Sequence, residues 1–515
     1  MRIFDTYVQK LKYKVLTELA RQTWVGNDAF SVFNDIANQV VKKGEPTMSC
    51  CIYKDRAIVA ERIRIALGGK KEDHNVIQVI DIACDECPVA GHVVTDLCRG
   101  CVAHACVDAC KLGAITVDSH QKAEIDKSKC VECGKCAKSC PYSAIANFKR
   151  PCERACKVDA ISMAPDGVAQ IDSEKCIECG ACVYKCPFGA TLDVSSITDI
   201  IKTIVDSDNN KNYHVHAIVA PAIAGQFQYA KAGQLISAIR ELGFYAVEEV
   251  ALGADIVAYK EAQELQEKGF LTSSCCPAFV KYIKMKFPQL AEHISHNLSP
   301  MAETGKLIKE QDPDAKIVFI GPCTAKKGEV RKPEVHQYVD YVMTFEELQA
   351  MIDSKDIAVD QLPETELDTA TYYGRVFART GGLSEAVTEA VREQKAAAEA
   401  AKADAPDGAG TSGAVASGEA GASGKPASGD GACDGDSADS KPFVFDPIVC
   451  DGIDSCKTAL LRASKGLLSN NFIEGMVCTD GCIGGAACLS HGNADKRAID
   501  NYGKKASHKE IREVL

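Results

Sequence analysis

Cys130-Val-Glu-Cys133-Gly-Lys-Cys136-Ala-Lys-Ser-Cys140-Pro141 and Cys176-Ile-Glu-Cys179-Gly-Ala-Cys182-Val-Tyr-Lys-Cys186-Pro187 decide how the first part of this chain folds. Both read C-x2-C-x2-C-x3-C-P. At this spacing three thiolates hold one cubane and the fourth reaches a neighbouring cluster. Soft sulfur ligands suit iron–sulfur centres. Paired C-x2-C also suits zinc, but two complete copies that each end in proline favour iron.

Each run follows a degenerate partner. Cys98-x2-Cys101-x4-Cys106-x3-Cys110 precedes the first, and Cys152-x3-Cys156 precedes the second; residues 106–115 resemble residues 152–161. The pattern is similar to two-cluster ferredoxins, whose cross-ligation implies three sets. Cys98, Cys101, Cys106 and Cys140 form one, Cys130, Cys133, Cys136 and Cys110 a second, and Cys176, Cys179, Cys182 and Cys156 a third. Cys84, Cys87, Cys152 and Cys186 remain. The 16 cysteines from Cys84 to Cys186 divide into four sets of four, so a fourth cubane stays open and the count is three to four [4Fe-4S] clusters. His104, between Cys101 and Cys106, is read as facing solvent or bonded to backbone in preference to a ligand role. A string of clusters is an electron wire, so something further along the chain must supply or consume electrons.

Working outward, the chain has 515 residues, 46% hydrophobic and 25% charged, and 27 cysteines. That suggests about three domains and a sizeable core. Residues 1–80 read as mostly helical, with helical spacing over residues 57–67, and are expected to cap the cysteine module. Residues 81–195 form that module. Residues 210–515 form a larger domain in which strand-like runs (214–222 and 316–321) alternate with helix-like runs (232–242 and 345–352), which predicts α/β units with a partly parallel sheet. The expected class is therefore a multidomain α+β and α/β protein. Residues 396–440 are rich in Ala, Gly, Ser and Asp, with Val415 the one large aliphatic, and read as a flexible insertion with Cys433 a free thiol. No apolar run approaches a membrane span, and the N-terminus shows no secretory signal. Unpaired cysteines in quantity then point to metal chemistry in a reducing cytoplasm. The net charge of −12 argues against nucleic acid as a partner.

Three segments of the large domain carry chemistry: Leu271-Thr-Ser-Ser-Cys275-Cys276-Pro277, Gly321-Pro322-Cys323-Thr324-Ala325-Lys326-Lys327, and Met476-Val-Cys478-Thr-Asp480-Gly481-Cys482-Ile-Gly484-Gly485. They offer five thiols. Four can complete a cubane, and a fifth is left for proton chemistry, because a thiol titrates within reach of neutral pH. The glycines beside Cys482 are read as permitting close approach of a bulky cofactor. Lys326 offers a cationic donor, or is a solvated surface lysine.

In this order the three segments resemble the signature motifs of [FeFe]-hydrogenases, over residues 80–515 apart from the insertion, and most of all the group B monomeric branch. The resemblance implies a ferredoxin-like module followed by a two-lobed α/β large domain. It implies that Cys276, Cys323, Cys478 and Cys482 ligate the cubane of an H-cluster, and that Cys482 bridges to a diiron subsite bearing carbonyl, cyanide and a dithiolate amine. Cys275 would relay protons and Lys326 would hydrogen-bond a cyanide. Ala220, Pro221 and Met476 would line the diiron pocket. The family's proton route uses two Glu and a Ser, which match Glu261, Glu264 and Ser295. Glu261 and Glu264 are one turn apart and share a helix face; the alternative for both is a solvated face beside Lys260 and Glu267. Gly321, Met301, Asp480 and Cys488 depart from the commonest family pattern without removing a ligand. Cys450 and Cys456 read as small buried thiols.

The function expected from the resemblance is H2 ⇌ 2 H+ + 2 e−, with ferredoxin or a similar carrier as electron partner and dedicated hydrogenase maturation proteins. A hydrogen sensor, or an iron–sulfur assembly scaffold on the same fold, is the alternative. A scaffold has no need of Cys275 and Lys326.

Overall fold

The computed structural model describes residues 4–27, 32–44, 49–70, 72–85, 87, 90–403 and 443–515. None of their helices is long and apolar enough to cross a membrane.

The large domain is built on two parallel sheets. One has four strands in the order Ala246–Glu249, Val215–Val219, Lys316–Gly321 and Tyr341–Thr344. The other orders Leu271–Thr272, Phe472–Met476 and Pro447–Asp451. Val215–Val219 and Phe472–Met476 are buried along their whole length. Parallel strands covered on both faces read as nearly continuous apolar runs, which is how they stand in the sequence. The predicted 316–321 strand forms at those bounds. The 214–222 run narrows to Val215–Val219, because Pro221 has no N–H for the ladder. Helices occupy Ala232–Glu241 and Phe345–Ser354; the second starts on a capping box of Thr344 and Glu347.

The cysteine module is made of short two-stranded ribbons and one-turn helices. The sequence repeat is also a backbone repeat. Gly134 and Gly180 are left-handed at φ 71° and 73°, and each opens a five-residue helix that ends at Cys140 or Cys186. The backbone N–H four residues after a cysteine points at its sulfur four times: Ala114 to Cys110 (3.3 Å), Ala144 to Cys140 (3.4 Å), Ala160 to Cys156 (3.2 Å) and Ala190 to Cys186 (3.3 Å). The last cysteine of each degenerate partner, Cys110 and Cys156, thus shares the backbone geometry of the complete runs. Hydrogen bonds to sulfur are one lever on a cluster's potential.

Two expectations are corrected. The N-terminal region is helical at Tyr7–Trp24, Phe33–Val40 and Ile52–Ala66, yet it is more than a cap on the cysteine module. Leu16, Leu19, Ile36 and Ile63 share one core with Val215, Phe345 and Leu348 of the large domain. The insertion does not begin at residue 396: the helix Gly382–Ala403 runs on through it, on strong helix formers such as Ala, Glu and Lys. Residues 404–440, with Val415 and Cys433, lie outside the described residues.

A buried ion network ties the three parts together. Lys12 Nζ bonds Asp193 Oδ1 at 2.5 Å and Glu346 Oε2 at 2.7 Å. Lys327 Nζ bonds Asp193 Oδ2 at 2.7 Å, Glu347 Oε1 at 2.8 Å and the Val194 carbonyl at 2.7 Å. Burial alone would raise the Asp193 carboxyl, but Lys12 and Lys327 outweigh it and hold it below the usual carboxylate range.

Candidate functional site

Open parallel sheets place ligands beyond the carboxyl ends of their strands. The site obeys that rule on both sheets at once. Ala220 and Pro221 follow Val215–Val219, and Cys323 follows Lys316–Gly321. Cys275 and Cys276 follow Leu271–Thr272, and Cys478 and Cys482 follow Phe472–Met476. One largely apolar pocket is lined by Cys275, Cys276, Cys323, Cys478 and Cys482 together with Ala220, Pro221, Met301, Lys326 and Met476.

Cys276 and Cys323 lie close enough to Cys478 and Cys482 for their charges to be felt at both. Burial pushes all four thiols up, Cys323 to about 11 and Cys482 to about 12. Thiols this deep become thiolates only against the positive charge of a metal. Cys276 also caps the helix Pro277–Lys286, so its position is set by the strand-to-helix turn. Cys275 is raised well above an ordinary thiol, first by burial and then by Glu261.

Lys326 is no surface lysine, being 8% exposed. Its Nζ bonds the Cys275 carbonyl at 3.4 Å and pairs with Glu329 at 2.6 Å. Burial works against its charge, but Glu329 outweighs that and keeps the ammonium protonated.

Behind Cys275 stand the two glutamates. Glu261 is 0% exposed, which overturns a solvated helix face for it. Its Oε1 accepts from the Ser274 N–H at 3.4 Å, and its Oε2 is buried without a hydrogen-bond partner. Burial raises this carboxyl to about 8. Ser295 Oγ lies 3.3 Å from Glu264 Oε2. Glu264 meets Lys268 at 2.7 Å and His296 at 2.6 Å; these partners overcome burial and hold it below its ordinary value. Lys260 pairs with Glu303. Ser295 and Glu264 do not line the pocket.

Gly481 and Gly485 line the pocket, and the glycines beside Cys482 have a packing role as well. A Cβ on Gly484 would fall 1.8 Å from the Thr479 carbonyl oxygen, and one on Gly485 2.5 Å from that of Pro322. These glycines serve close backbone packing, Gly484 within the loop and Gly485 against the Pro322 segment. Gly321 has a similar reason, since a Cβ there would meet the Phe319 ring at 2.5 Å. Asp480 is exposed at φ 67°, its N–H bonded to Asp451, so it sits on the rim. Cys488 is buried and donates to the Ile483 carbonyl at 3.2 Å. Cys450 and Cys456 are buried small thiols.

Sequence reasoning missed Glu474. It is buried on the central strand Phe472–Met476, accepts from the Gly381 and Ser384 N–H groups at 2.7 and 2.8 Å and from the Ser384 hydroxyl at 2.6 Å, and its charge is felt at Cys275. A lone acid in an otherwise apolar strand was the available signal.

In the cysteine module the four sets are also neighbours in space. Cys106 feels Cys140 and Cys101, and Cys136 feels Cys130 and Cys133. Cys176 feels Cys156, and Cys179 feels Cys176, Cys156 and, across the domain boundary, Cys276. Cys152 feels Cys186, Cys84 and Cys87. Cys98, Cys106 and Cys110 pack on one small core with Cys136, and Cys182 joins the core of Cys84 and Cys186. Arg150 Nη1 lies 3.6 Å from Cys84 Sγ, and the buried Arg62, whose Nη1 has no hydrogen-bond partner, feels Cys186. Neither arginine was singled out from sequence. His104 differs from expectation too: its backbone is left-handed at φ 41° and its Nε2 is buried without a hydrogen-bond partner.

Two family models match the chain. The family model for the iron-only hydrogenase large subunit, C-terminal domain, matches residues 213–486, and a 4Fe-4S dicluster domain matches residues 97–144 and 150–190. Iron hydrogenase 1 of Clostridium pasteurianum is 30% identical over 308 residues, which is 54% of this chain and 52% of that protein. Cytosolic Fe-S cluster assembly factor NAR1 of Kluyveromyces lactis is 37% identical over 95 residues, 18% of this chain and 20% of that one. A variant of [FeFe]-hydrogenase HydA1 from Chlamydomonas reinhardtii superposes with a TM-score of 0.46 at 19% identity, covering 62% of this chain and 92% of that one. The chain thus spans about half the length, or less, of the curated relatives it matches. With more than half of its residues inside the matched model, the chain belongs to the iron-only hydrogenase large-subunit family.

Proposed function

We propose that the chain catalyses H2 ⇌ 2 H+ + 2 e−, passing electrons along [4Fe-4S] clusters to or from ferredoxin or a similar carrier. The observation that carries this reading is Cys275, a buried thiol between a four-cysteine cage and a line of acids. In this reading residues 210–515 are the catalytic domain and residues 81–195 the electron-transfer module. Cys276, Cys323, Cys478 and Cys482 would hold the cubane of an H-cluster. The donor set fits such a group: four sulfurs, apolar walls and one ammonium. Bound there, the cofactor supplies the metal centre and bridging amine at which the H–H bond is broken or made.

The chain's own residues do the rest. Ala220, Pro221 and Met476 keep water from the pocket with apolar surface. Lys326, protonated at its depth, would donate to a cyanide of the bound cofactor. Cys275 exchanges a proton with the pocket and passes it to Glu261, from which Ser295 and Glu264 lead to His296 at the surface. A carboxyl near 8 both takes up and releases protons close to neutral pH, which suits a relay. The set of Cys156, Cys176, Cys179 and Cys182 is the electron contact of the cage, since Cys179 is felt at Cys478. Cys98, Cys101, Cys106 and Cys140 hold a second cluster, and Cys110, Cys130, Cys133 and Cys136 a third. Cys84, Cys87, Cys152 and Cys186 hold a fourth, whose negative charge Arg62 and Arg150 offset.

The short similarity to assembly factors favours a second reading, a non-catalytic scaffold. An infrared spectrum of the anaerobic protein, co-produced with hydrogenase maturation proteins, separates the two. Carbonyl and cyanide bands are expected. Their absence from protein whose iron analysis shows full cubanes overturns the catalytic reading and leaves the scaffold.

A further inference from the structure

At the far end of the four-stranded sheet, roughly 15–20 Å along the Val215–Val219 strand from Ala220, stands a second cluster of ligating side chains. His214 and His216 are two residues apart, so both point to one face. Asp312, at the C-terminal end of the helix Pro300–Gln311, meets them there. One ligand atom from each of the three lies within 4.8 Å of the others. His214 Nδ1 is 2.7 Å from Asp312 Oδ2, and His216 Nε2 is 3.9 Å from the same oxygen.

His216 marks the place as a binding site. The residue is 7% exposed, and its Nε2, on the side of Asp312, is buried without a hydrogen-bond partner. A buried ring nitrogen left in this way costs free energy unless something binds it. Its other nitrogen, Nδ1, bonds Glu248 Oε1 at 2.8 Å. A carboxylate behind the distal ring nitrogen is the arrangement that orients histidine ligands in metal sites. Tyr245 stacks on His214 with ring centroids 3.8 Å apart and holds that ring in place. His214 and Asp312 have side chains 38% and 30% exposed, which leaves an entry path for an ion.

We propose that His214, His216 and Asp312 bind a borderline divalent ion of the zinc class, with solvent completing the coordination. Two imidazoles and one carboxylate suit such an ion better than calcium or magnesium, which prefer all-oxygen shells. The ion takes the place of the His214–Asp312 contact and gives His216 Nε2 its partner. It clamps the strand entrance to the helix end. The inference does not depend on the hydrogenase reading.

Zinc titrated into the anaerobic holoprotein, with its iron–sulfur clusters loaded, tests this. X-ray absorption at the zinc edge is expected to show one added ion per chain, with nitrogen and oxygen neighbours at about 2.0 Å and imidazole scattering. His216→Ala and Asp312→Asn are each expected to weaken zinc binding at least ~10-fold with the iron content unchanged. If His216→Ala fails to fold, Asp312→Asn decides alone, because it alters only a partly exposed helix end. A sulfur shell at about 2.3 Å, or unchanged affinity in the variants, overturns the site.

Discussion

The cysteine module and the large domain both gather sulfurs, but they do so in opposite ways. In the module three of the four proposed sets draw on cysteines within 42 residues of one another (Cys98 to Cys140 being the widest), and the same N–H···S bond recurs at Cys110, Cys140, Cys156 and Cys186. Its ribbons are three or four residues long and its apolar cores are small. In the large domain the thiols come from segments 200 residues apart, and only the carboxyl ends of two parallel sheets bring them together. The difference teaches where each region is vulnerable. The module depends on its ligands, and the large domain depends on its core and its buried ions.

That contrast can be broken or sharpened. Cys152→Ser tests the weakest of the four module sets and has the largest expected effect. Iron analysis should show a loss of about four iron atoms per chain, with carbonyl and cyanide bands retained. If iron does not change, the fourth set is not a cluster. Cys275→Ala acts on the other region without removing a ligand. Turnover should fall ~10²–10⁴-fold while iron stays constant; turnover at the original level would mean the proton line is misassigned.

Lys327→Met probes the junction between the regions. It leaves Asp193 and Glu347 buried with one partner fewer, and breaking such a pair costs about 3–5 kcal/mol. A thermal midpoint lowered by several degrees is expected, with cluster spectra unchanged below it.

Glu261→Gln gives a pH signature. The folded carboxyl sits at about 8 and an unfolded one near 4.5. Between these values the folded state therefore holds the extra proton, and stability from this group declines as pH rises through the window. The variant should gain on the parent in thermal midpoint from pH 6 to pH 9, and a constant difference would contradict the shift. The smallest effect belongs to Thr324→Val. It deletes the 2.7 Å bond from the Thr324 hydroxyl to the Glu178 carbonyl, which fastens the Cys176–Cys179 loop to the large domain. About 1 kcal/mol is expected, read as a slight lowering of the midpoint.

By itself the sequence determined the ligand spacing of the module, the order of the three segments that carry the site, the strand at residues 316–321, and a strand within residues 214–222 whose bounds the structure narrowed. These follow from local chemistry: thiol spacing within a loop, and apolar runs that must be buried on both faces. Tertiary structure alone decided the rest. Whether Glu261 is a solvated acid or a buried one depends on what covers its helix, and the sequence shows only that Glu261 and Glu264 share a face. Arg62 and the Asp193 network are charges whose partners come from distant segments, so no local pattern marks them, and the lone acid Glu474 in its apolar strand is marked locally while its partners Gly381 and Ser384 are not. The glycines beside Cys482 were legible as positions without room for a side chain, but only packing showed that neighbouring backbone takes the space. The pairing of His216 with Asp312 is of the same kind, because contact between a strand start and a helix end is set by the sheet and not by the spacing of either residue in the chain.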